Sequence, residues 1–222
     1  MKQEKSGLSK QEKFELQLED NSFRRNLAIS MLPREQWTYH EMILDEHNDC
    51  DSSAYAELAE IKKHIVDFVN SENNNLFICS RQVGNGKTTW AVRLLQAYLY
   101  ATRRQAVIDE SPTGLYISVP ELIANLKDFN TSTAKDYVER VKKYIDNAYL
   151  VVWDDLAIEE MSGYDRLQLY VFLNNRIFRK QANIFTSNVD ELGWLTDLVG
   201  ERIVSRSFDV STVVKLSGWG RR

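Results

Sequence analysis

Residues 77–90 have the sequence Phe77-Ile78-Cys79-Ser80-Arg81-Gln82-Val83-Gly84-Asn85-Gly86-Lys87-Thr88-Thr89-Trp90. They begin within an apolar run, Leu76–Cys79, which predicts a short buried strand. After the glycines, apolar residues recur at helical spacing, namely Ala91, Leu94, Leu95, Tyr98 and Leu99. A strand, a glycine-containing loop and a helix thus follow one another in the order that a phosphate-binding loop requires.

Each part of this loop can help to bind an anion. Gly84 and Gly86 let backbone N–H groups turn inwards around a phosphate. The helix contributes its partly positive N-terminus, and Lys87 contributes a full charge. The Thr88 hydroxyl is placed to bind the Mg²⁺ that accompanies a nucleotide. The sequence therefore predicts a nucleotide-binding site made of Gly84, Asn85, Gly86, Lys87, Thr88 and Thr89.

One position departs from the full phosphate-loop pattern, because Arg81 stands where its first glycine is expected. The alternative interpretation is a glycine-rich turn with a surface lysine, but the flanking strand and helix favour the phosphate-binding loop. A dinucleotide-binding loop of the form G-x-G-x-x-G is excluded, since Thr89 occupies the place of its third glycine.

The chain has 222 residues and a net charge of −4. This length favours one domain with a small appendage, and the acidic balance argues against a broad basic face for duplex DNA. Cys50 and Cys79 have no disulfide-like spacing, and no apolar stretch approaches the roughly 18 residues of a membrane span. We therefore expect a cytoplasmic protein without a membrane segment.

The N-terminal part is expected to form an extension, residues 1–48, attached to a domain of residues 49–222. Residues 1–20 are strongly charged, and Ser9 with Glu12 forms a capping box, which predicts a short exposed helix. This helix is either a solvated tail or a docking segment for a partner. The aromatic-rich segment 23–50 shows little periodicity, so we expect an irregular chain that could line an adenine pocket.

The rest of the chain alternates strands with helices. This alternation predicts an α/β fold in which a parallel sheet is covered by helices. Helices are expected at about residues 53–70, 120–129, 133–147 and 164–180. Strands beyond the first are expected at Leu115–Val119, Tyr149–Trp153, 182–188 and Thr212–Leu216.

Polar side chains follow two of these strands. Asp154 and Asp155 end an apolar strand, where carboxylates are costly to bury unless they meet a cation or bound water. Beside the phosphate loop, Asp154 could hold the Mg²⁺ shell and Asp155 could orient or deprotonate the attacking water, the alternative being an Asx turn. Asn188 could contact the γ-phosphate or its water, the alternative being a strand-end cap.

Together these motifs resemble the AAA+ ATPases, and within them the bacterial DnaC/DnaI-type helicase loaders and their phage counterparts. The resemblance implies a P-loop fold with a five-stranded parallel sheet in the order 5-1-4-3-2. It also implies that Asn188 is the sensor-1 residue, Arg206 the arginine finger and Arg221 the sensor-2 arginine, with Arg202 and Arg222 as alternatives for the two arginine roles. It rests on residues 32–222, and above all on Gly84–Thr88, Val152–Asp155, Thr186–Asn188, Gly200–Arg206 and Arg221-Arg222.

The resemblance implies an ATPase that uses ATP and Mg²⁺, is weakly active alone, and loads a hexameric replicative DNA helicase onto single-stranded DNA. It also implies self-association through the ATP site. The helices between Ser118 and Asn147 match the insertion of initiator-type AAA+ proteins, whose basic residues help to contact single strands. The basic residues of these helices form either a solvated helix face or a DNA contact. They are Lys127, Arg140, Lys142 and Lys143.

Other functions stay open. A transposition-type targeting ATPase uses a similar domain to coat duplex DNA, although the low basicity argues mildly against it. A non-hydrolysing adaptor or helicase inhibitor would bind ATP with an Asp155 that never activates water, and most AAA+ proteins have glutamate at that position. A small-molecule kinase is least favoured, because no lid or acceptor-substrate motif is evident.

Overall fold

The computed structural model describes residues 10–37, 51–103, 112–157 and 161–218. Within these ranges, parallel strands form one five-stranded sheet in the order β2-β3-β4-β1-β5. Counted from the other edge, this is the expected order 5-1-4-3-2, and every strand begins within one residue of its predicted start. The strands are β1 (Asn75–Cys79), β2 (Gly114–Ser118), β3 (Leu150–Asp154), β4 (Ala182–Ser187) and β5 (Thr212–Lys215).

Helices cover both faces of this sheet. None of those in the described ranges combines the length and apolarity needed to cross a membrane. On one face lie α1 (Lys10–Ile29), α2 (Ser52–Lys63), α3 (Ile65–Asn70) and α4 (Lys87–Ala101). On the other lie α5 (Val119–Lys127), α6 (Ser132–Ile145), α7 (Gly163–Phe178), α8 (Leu192–Val199) and α9 (Glu201–Ser207).

Strands β1 to β4 are buried along nearly their whole length because helices cover both faces of the sheet, whereas the edge strand β5 is partly exposed. Successive side chains point to opposite faces. Leu76 and Ile78 of β1 therefore pack in the core on the α4 side, whereas Phe77 and Cys79 pack in the core on the α7 side. The same alternation decides which polar residues at the strand ends can meet α4.

The prediction of an irregular chain from Phe23 onwards is wrong for its first part, because α1 extends to Ile29. Leu27 and Leu32 are buried, and the ring of Phe23 lies edge-on to Tyr100 of α4. The carbonyl of Ser30 accepts a hydrogen bond from the backbone N–H of Tyr116 at 2.8 Å. This contact covers part of the open edge of β2, so the end of α1 is a structural part of the domain.

The segment after α1 also packs on α4. A 3₁₀ turn, Arg34–Gln36, follows Pro33, and the Trp37 indole donates to the carbonyl of Leu32 at 2.8 Å. The Gln96 side chain of α4 donates to the carbonyl of Gln36. The rest of the proposed adenine-pocket segment lies outside the described residues, and the domain boundary at residue 48 stays a prediction.

The predicted helix at residues 53–70 is interrupted at His64, whose φ of −111° and ψ of 34° are not helical. The apolar stripe nevertheless continues across the break, since Leu58, Ile65 and Val69 are all buried. His64 lies between Glu60 and Asp67 on the exposed side. His64 is thus a surface histidine.

At the amino-terminal end of the strands, a single buried arginine joins several elements. Arg176 of α7 is 1% exposed and donates to the side-chain oxygen of Asn183 at 2.8 Å. It also donates to backbone carbonyls at the end of α6, before β3 and in β4, namely those of Ile145, Ala148 and Ala182. Because a guanidinium is the donor for all of these groups, no hydrophobic side chain of similar length can replace it.

We expect Arg176→Met to lower the free energy of unfolding by about 3 kcal/mol or more, since each buried acceptor left without a donor costs about 1 to 3 kcal/mol. Urea unfolding measures this change. Arg179→Met is the matched control, because Arg179 is half exposed and forms a surface ion pair with Asp146. Such pairs contribute about 0 to 1 kcal/mol. Equal effects of the two substitutions would contradict this account of Arg176.

Candidate nucleotide-binding site

The predicted phosphate-binding loop lies between β1 and α4. Gly84 has a φ of 79° and Gly86 a φ of 98°, and α4 begins at Lys87. Side chains larger than glycine are strained at these φ values. The two glycines are therefore required by the backbone, and they lead directly into the N-terminus of a buried helix.

The Lys87 side chain lies within this loop and is only 5% exposed. Its ammonium group donates to the carbonyl of Gln82 at 2.9 Å and to the side-chain oxygen of Asn85 at 3.3 Å. Burial lowers the pKa of Lys87, and the nearby charges, first that of Asp155, partly oppose this shift. The lysine thus has loop oxygens as partners, which phosphate oxygens could replace.

Arg81 fits the loop without the conformation that a glycine would allow, since its φ is not positive. Its guanidinium donates to Asp190 at 2.6 Å and to Glu191. It also lies 5.4 Å from the ring centroid of Trp194. These partners follow β4, so the Arg81 side chain points towards α8. The Lys87 side chain occupies the inner side of the loop.

Asp154 is the centre of a hydrogen-bonded cluster on the α4 side of the sheet. Thr88 donates to its Oδ1 at 2.9 Å, Thr186 donates to Oδ1 at 2.6 Å, and Tyr116 donates to Oδ2 at 2.6 Å. Asp154 is 4% exposed, and no lysine, arginine or histidine of the described residues lies within ion-pair distance of it. Thr88 and Asp154, which the sequence separately suggests as Mg²⁺-binding residues, are thus in direct contact.

Asp155 has a different environment. Its backbone is left-handed, with a φ of 60°, and its N–H donates to the Thr186 hydroxyl at 2.9 Å. Its carboxylate has no hydrogen-bond or ion-pair partner in the described part of the chain. Burial and then the charge of Asp154 raise the pKa of Asp155, while Lys87 lowers it. An unpaired carboxylate beside the loop is chemically suited to act on a water molecule.

These residues fit a magnesium ion. A hydroxyl that donates to Asp154 keeps its lone pairs for a cation, and Thr88 has that arrangement. Mg²⁺ sites typically use one or two carboxylates together with substrate phosphates and water. No cluster of three or more His, Cys, Asp or Glu side chains suited to a metal occurs in the described ranges.

The other predicted site residues are less closely grouped. Asn188 is half-buried directly after β4, at the same edge of the sheet as Asp154. Thr89 is exposed on α4 and borders a depression of about 190 Å³ that Glu35 and Gln36 also line. The segment after α1 therefore lies beside the first turn of α4, and its predicted contact with adenine stays a prediction.

The predicted arginines do not contact the loop within the described residues. Arg206 of α9 donates to the Asn174 side chain of α7 at 3.0 Å, and Arg202 lies 5.9 Å from the ring centroid of Tyr170. Both project from the α7–α9 side of the domain. Arg221 and Arg222 lie outside the described residues.

The basic residues proposed to contact DNA have partners of different kinds. Lys127 pairs with Asp165 at 2.9 Å, and this carboxylate forms the capping box of α7. Lys142 lies 5.7 Å from the ring centroid of Phe129, and Lys143 lies 5.5 Å from that of Tyr144. Lys127 thus has a structural role, while the last turn of α6 presents lysines beside aromatic rings.

Sequence reasoning missed Tyr116. It lies on β2, where it pairs with Val152 of β3. Two residues further along both strands, Ser118 pairs with Asp154. This two-residue offset places Tyr116 on the same face of the sheet as Asp154. The available signal was a tyrosine in β2, but the sequence does not show that β2 pairs with β3. Without this pairing, Tyr116 could not be placed on the same face of the sheet as Asp154.

The sheet order, the loop before α4 and the acidic pair at the end of β3 match the fold of P-loop proteins of the AAA+ type. No family model matches the chain. Its solved structural neighbours include a DnaC helicase loader (TM-score 0.58, 21% identity, 83% of this chain and 99% of that one). They also include a DnaI (TM-score 0.59, 22% identity, 90% and 100%) and domain III of the Thermotoga maritima replication initiation protein DnaA (TM-score 0.54, 22% identity, 82% and 65%). These likenesses show the fold.

The curated relatives bear the name replicative helicase loader DnaC. The one from Buchnera aphidicola subsp. Schizaphis graminum is 24% identical over 149 residues, which are 67% of this chain and 56% of that protein. The one from Buchnera aphidicola subsp. Baizongia pistaciae is 25% identical over 189 residues, 82% of this chain and 72% of that protein. The chain spans about half the length of the first of these. The resemblance to DnaC/DnaI-type loaders is confirmed.

We expect Asp155→Asn to stabilise the free protein at neutral pH. A carboxyl group whose pKa is higher in the folded than in the unfolded chain favours folding when protonated and opposes it when ionised. Asparagine tolerates the left-handed backbone. In urea unfolding, the gain should be full at pH 8, shrink as the pH falls through the raised pKa, and vanish below the ordinary value of 3.8.

The control for this prediction is Asp209→Asn, because Asp209 is exposed and its side chain has no described partner. The difference in unfolding free energy between Asp209→Asn and the unchanged protein should not show this dependence on pH. Equal stability of Asp155→Asn and the unchanged protein at pH 8 would show that the ionised Asp155 carboxylate does not lower the stability of the fold.

Proposed function

We propose that this chain is an ATP-dependent loader that binds a hexameric replicative DNA helicase and helps to place it on single-stranded DNA. The observation that carries this proposal is the Thr88–Asp154 contact between the phosphate-binding loop and the end of β3. The similarity to proteins named replicative helicase loader DnaC supports the proposed role in helicase loading.

ATP binding is assigned to residues 84–89. The glycine turns present backbone N–H groups, and the ammonium of Lys87 can leave Gln82 and Asn85 for the outer phosphates. Thr88 and Asp154 would hold Mg²⁺, which when bound neutralises phosphate charge. Glu35 and Gln36 border the outer side of the loop, next to Thr89.

Hydrolysis is assigned to Asp155, Asn188, Arg206 and Arg221. The Asp155 carboxylate is unpaired among the described residues and would orient or deprotonate the attacking water, and Asn188 would contact that water or the γ-phosphate. Arg206 would act on the nucleotide of a neighbouring copy, because no described contact joins it to the loop of its own chain. Arg221 would contact the phosphates as a sensor. This division predicts weak activity for a single chain and requires self-association through the ATP site.

Single-stranded DNA is assigned to the α5–α6 region. Lys142 and Lys143 lie beside aromatic rings on the last turn of α6. Basic side chains with neighbouring aromatic rings suit a flexible strand, in which phosphates and unstacked bases are both accessible. Lys127 is engaged with Asp165 and is a weaker candidate.

We expect Lys87→Ala to weaken ATP binding by about 10- to 100-fold, since hydrogen bonds to charged groups contribute about 1.5 to 3 kcal/mol. Titration with a fluorescent ATP analogue measures this loss. Lys135→Ala, which removes an exposed lysine of α6, should bind normally. Unaltered affinity of Lys87→Ala would reject the assignment of the loop.

The loader proposal is tested by co-purification with a replicative helicase hexamer, with and without ATP and Mg²⁺. A complex should form, and ATP hydrolysis should rise within it. Arg206→Ala should then lower the stimulated rate by about 10³-fold or more, because an arginine finger contributes about 10³ to 10⁵ to phosphoryl transfer.

Arg202→Ala is the matched control, since Arg202 lies on the same helix. A large loss with Arg202→Ala alone would move the finger role to that residue. Failure to bind the helicase would reject the loader, and a gel-shift preference for duplex DNA would then favour a transposition-type ATPase. A complex in which no phosphate is released would favour a non-hydrolysing adaptor.

A further inference from the structure

Three hydroxyl groups from three separate elements converge on the Asp154 carboxylate. Thr88 begins α4, Tyr116 lies in β2 and Thr186 lies in β4. Thr186 donates to Oδ1 and Tyr116 to Oδ2, each at 2.6 Å, while Thr88 donates at 2.9 Å to Oδ1 and at 3.2 Å to Oδ2. Each carboxylate oxygen thus has its own short hydrogen bond from the sheet, and Thr88 is the more weakly held third donor.

The Tyr116 hydroxyl has a specific task in this cluster. The Tyr116 ring is 6% exposed in the core on the α4 side, where a phenylalanine would fill the same space. The hydroxyl is the donor in this contact, because an ionised carboxylate can only accept hydrogen bonds.

The consequence is a carboxylate that cannot rotate freely. With Oδ1 held from β4 and Oδ2 held from β2, the plane of the Asp154 group is fixed before any ligand arrives. Thr88 then donates to an immobile acceptor, which orients the lone pairs of its own oxygen. The same Thr186 hydroxyl accepts from the Asp155 N–H at 2.9 Å, so the restraint continues to the second acidic residue.

We propose that Tyr116 is a positioning residue that holds Asp154, and through it Thr88, in the orientation that binds the magnesium ion of a magnesium–nucleotide complex. This inference rests on the proposed function and deepens it. Tyr116 contacts neither the ion nor the phosphates, and acts by removing rotational freedom from Asp154. Partners that orient the groups around a metal typically change metal affinity or activity by about 10- to 100-fold when they are removed.

The test is a Mg²⁺ titration of fluorescent ATP-analogue binding by the full chain, with Tyr116→Phe. The Mg²⁺ concentration for half-maximal binding should rise by about tenfold. Affinity measured in EDTA should stay within about twofold, because the loop is unchanged. Tyr98→Phe is the matched control, since Tyr98 is 4% exposed in the same core and does not contact Asp154. It should match the unchanged protein under both conditions.

The possible outcomes separate this inference from the proposed function. If Tyr116→Phe keeps the Mg²⁺ requirement of the unchanged protein, the positioning role is wrong while the nucleotide site stands. Equal weakening with Mg²⁺ and in EDTA would assign Tyr116 a purely structural role and also overturn the inference. If the unchanged protein binds no nucleotide, the proposed function and this inference fail together.

A second variant guards against a Tyr116→Phe protein that does not fold, which circular dichroism would reveal. Thr186→Val removes the donor to the other oxygen of Asp154 and conserves the shape of the side chain. It should raise the Mg²⁺ requirement in the same direction and leave binding in EDTA within about twofold. An unchanged Mg²⁺ requirement in Thr186→Val would contradict the claim that the two hydroxyls jointly fix the carboxylate.

Discussion

The candidate nucleotide site depends on a buried negative charge that, among the described residues, is stabilised by hydroxyl groups and not by a cation. Moving a carboxylate out of water is strongly unfavourable unless its oxygens are hydrogen-bonded. Asp154 meets this requirement only because β2, β4 and the start of α4 each place one hydroxyl around it. The order of the strands and the position of α4 are therefore conditions for the charge to be tolerated, and the charge in turn is available to a divalent cation.

A buried charge of opposite sign lies at the other end of the sheet. Arg176 is surrounded by backbone carbonyls and the Asn183 side chain, and no carboxylate of the described ranges contacts it. At both ends, neutral dipoles on neighbouring elements take the place of water. The two residues differ in use. Arg176 has its donors occupied and acts as a structural joint, whereas Thr88 beside Asp154 keeps lone pairs for a ligand.

Two departures from the usual AAA+ pattern are explained by local geometry. Arg81 does not need the backbone freedom of glycine, and its side chain contacts Asp190, Glu191 and Trp194 after β4. The phosphate-binding loop is thereby tied to the region just beyond Asn188. Asp155 adopts a left-handed backbone, a conformation in which aspartate and asparagine are more tolerated than most residues.

The sequence by itself predicted the five strands, the helices between β1 and β4, and the candidate residues of the central site. Local patterns predicted the strand bounds, the turns at Gly84 and Gly86, and the candidate roles of Lys87 and Asp154. These features depend on backbone freedom and burial, which are visible in a few consecutive residues. The sheet order came from the resemblance to AAA+ proteins. Only the tertiary structure decided that α1 packs on the sheet, that Arg176 joins three elements, and that Tyr116 contacts Asp154. Tyr116 and Asp154 are separated by 38 residues along the chain, and strand pairing alone brings them to 2.6 Å.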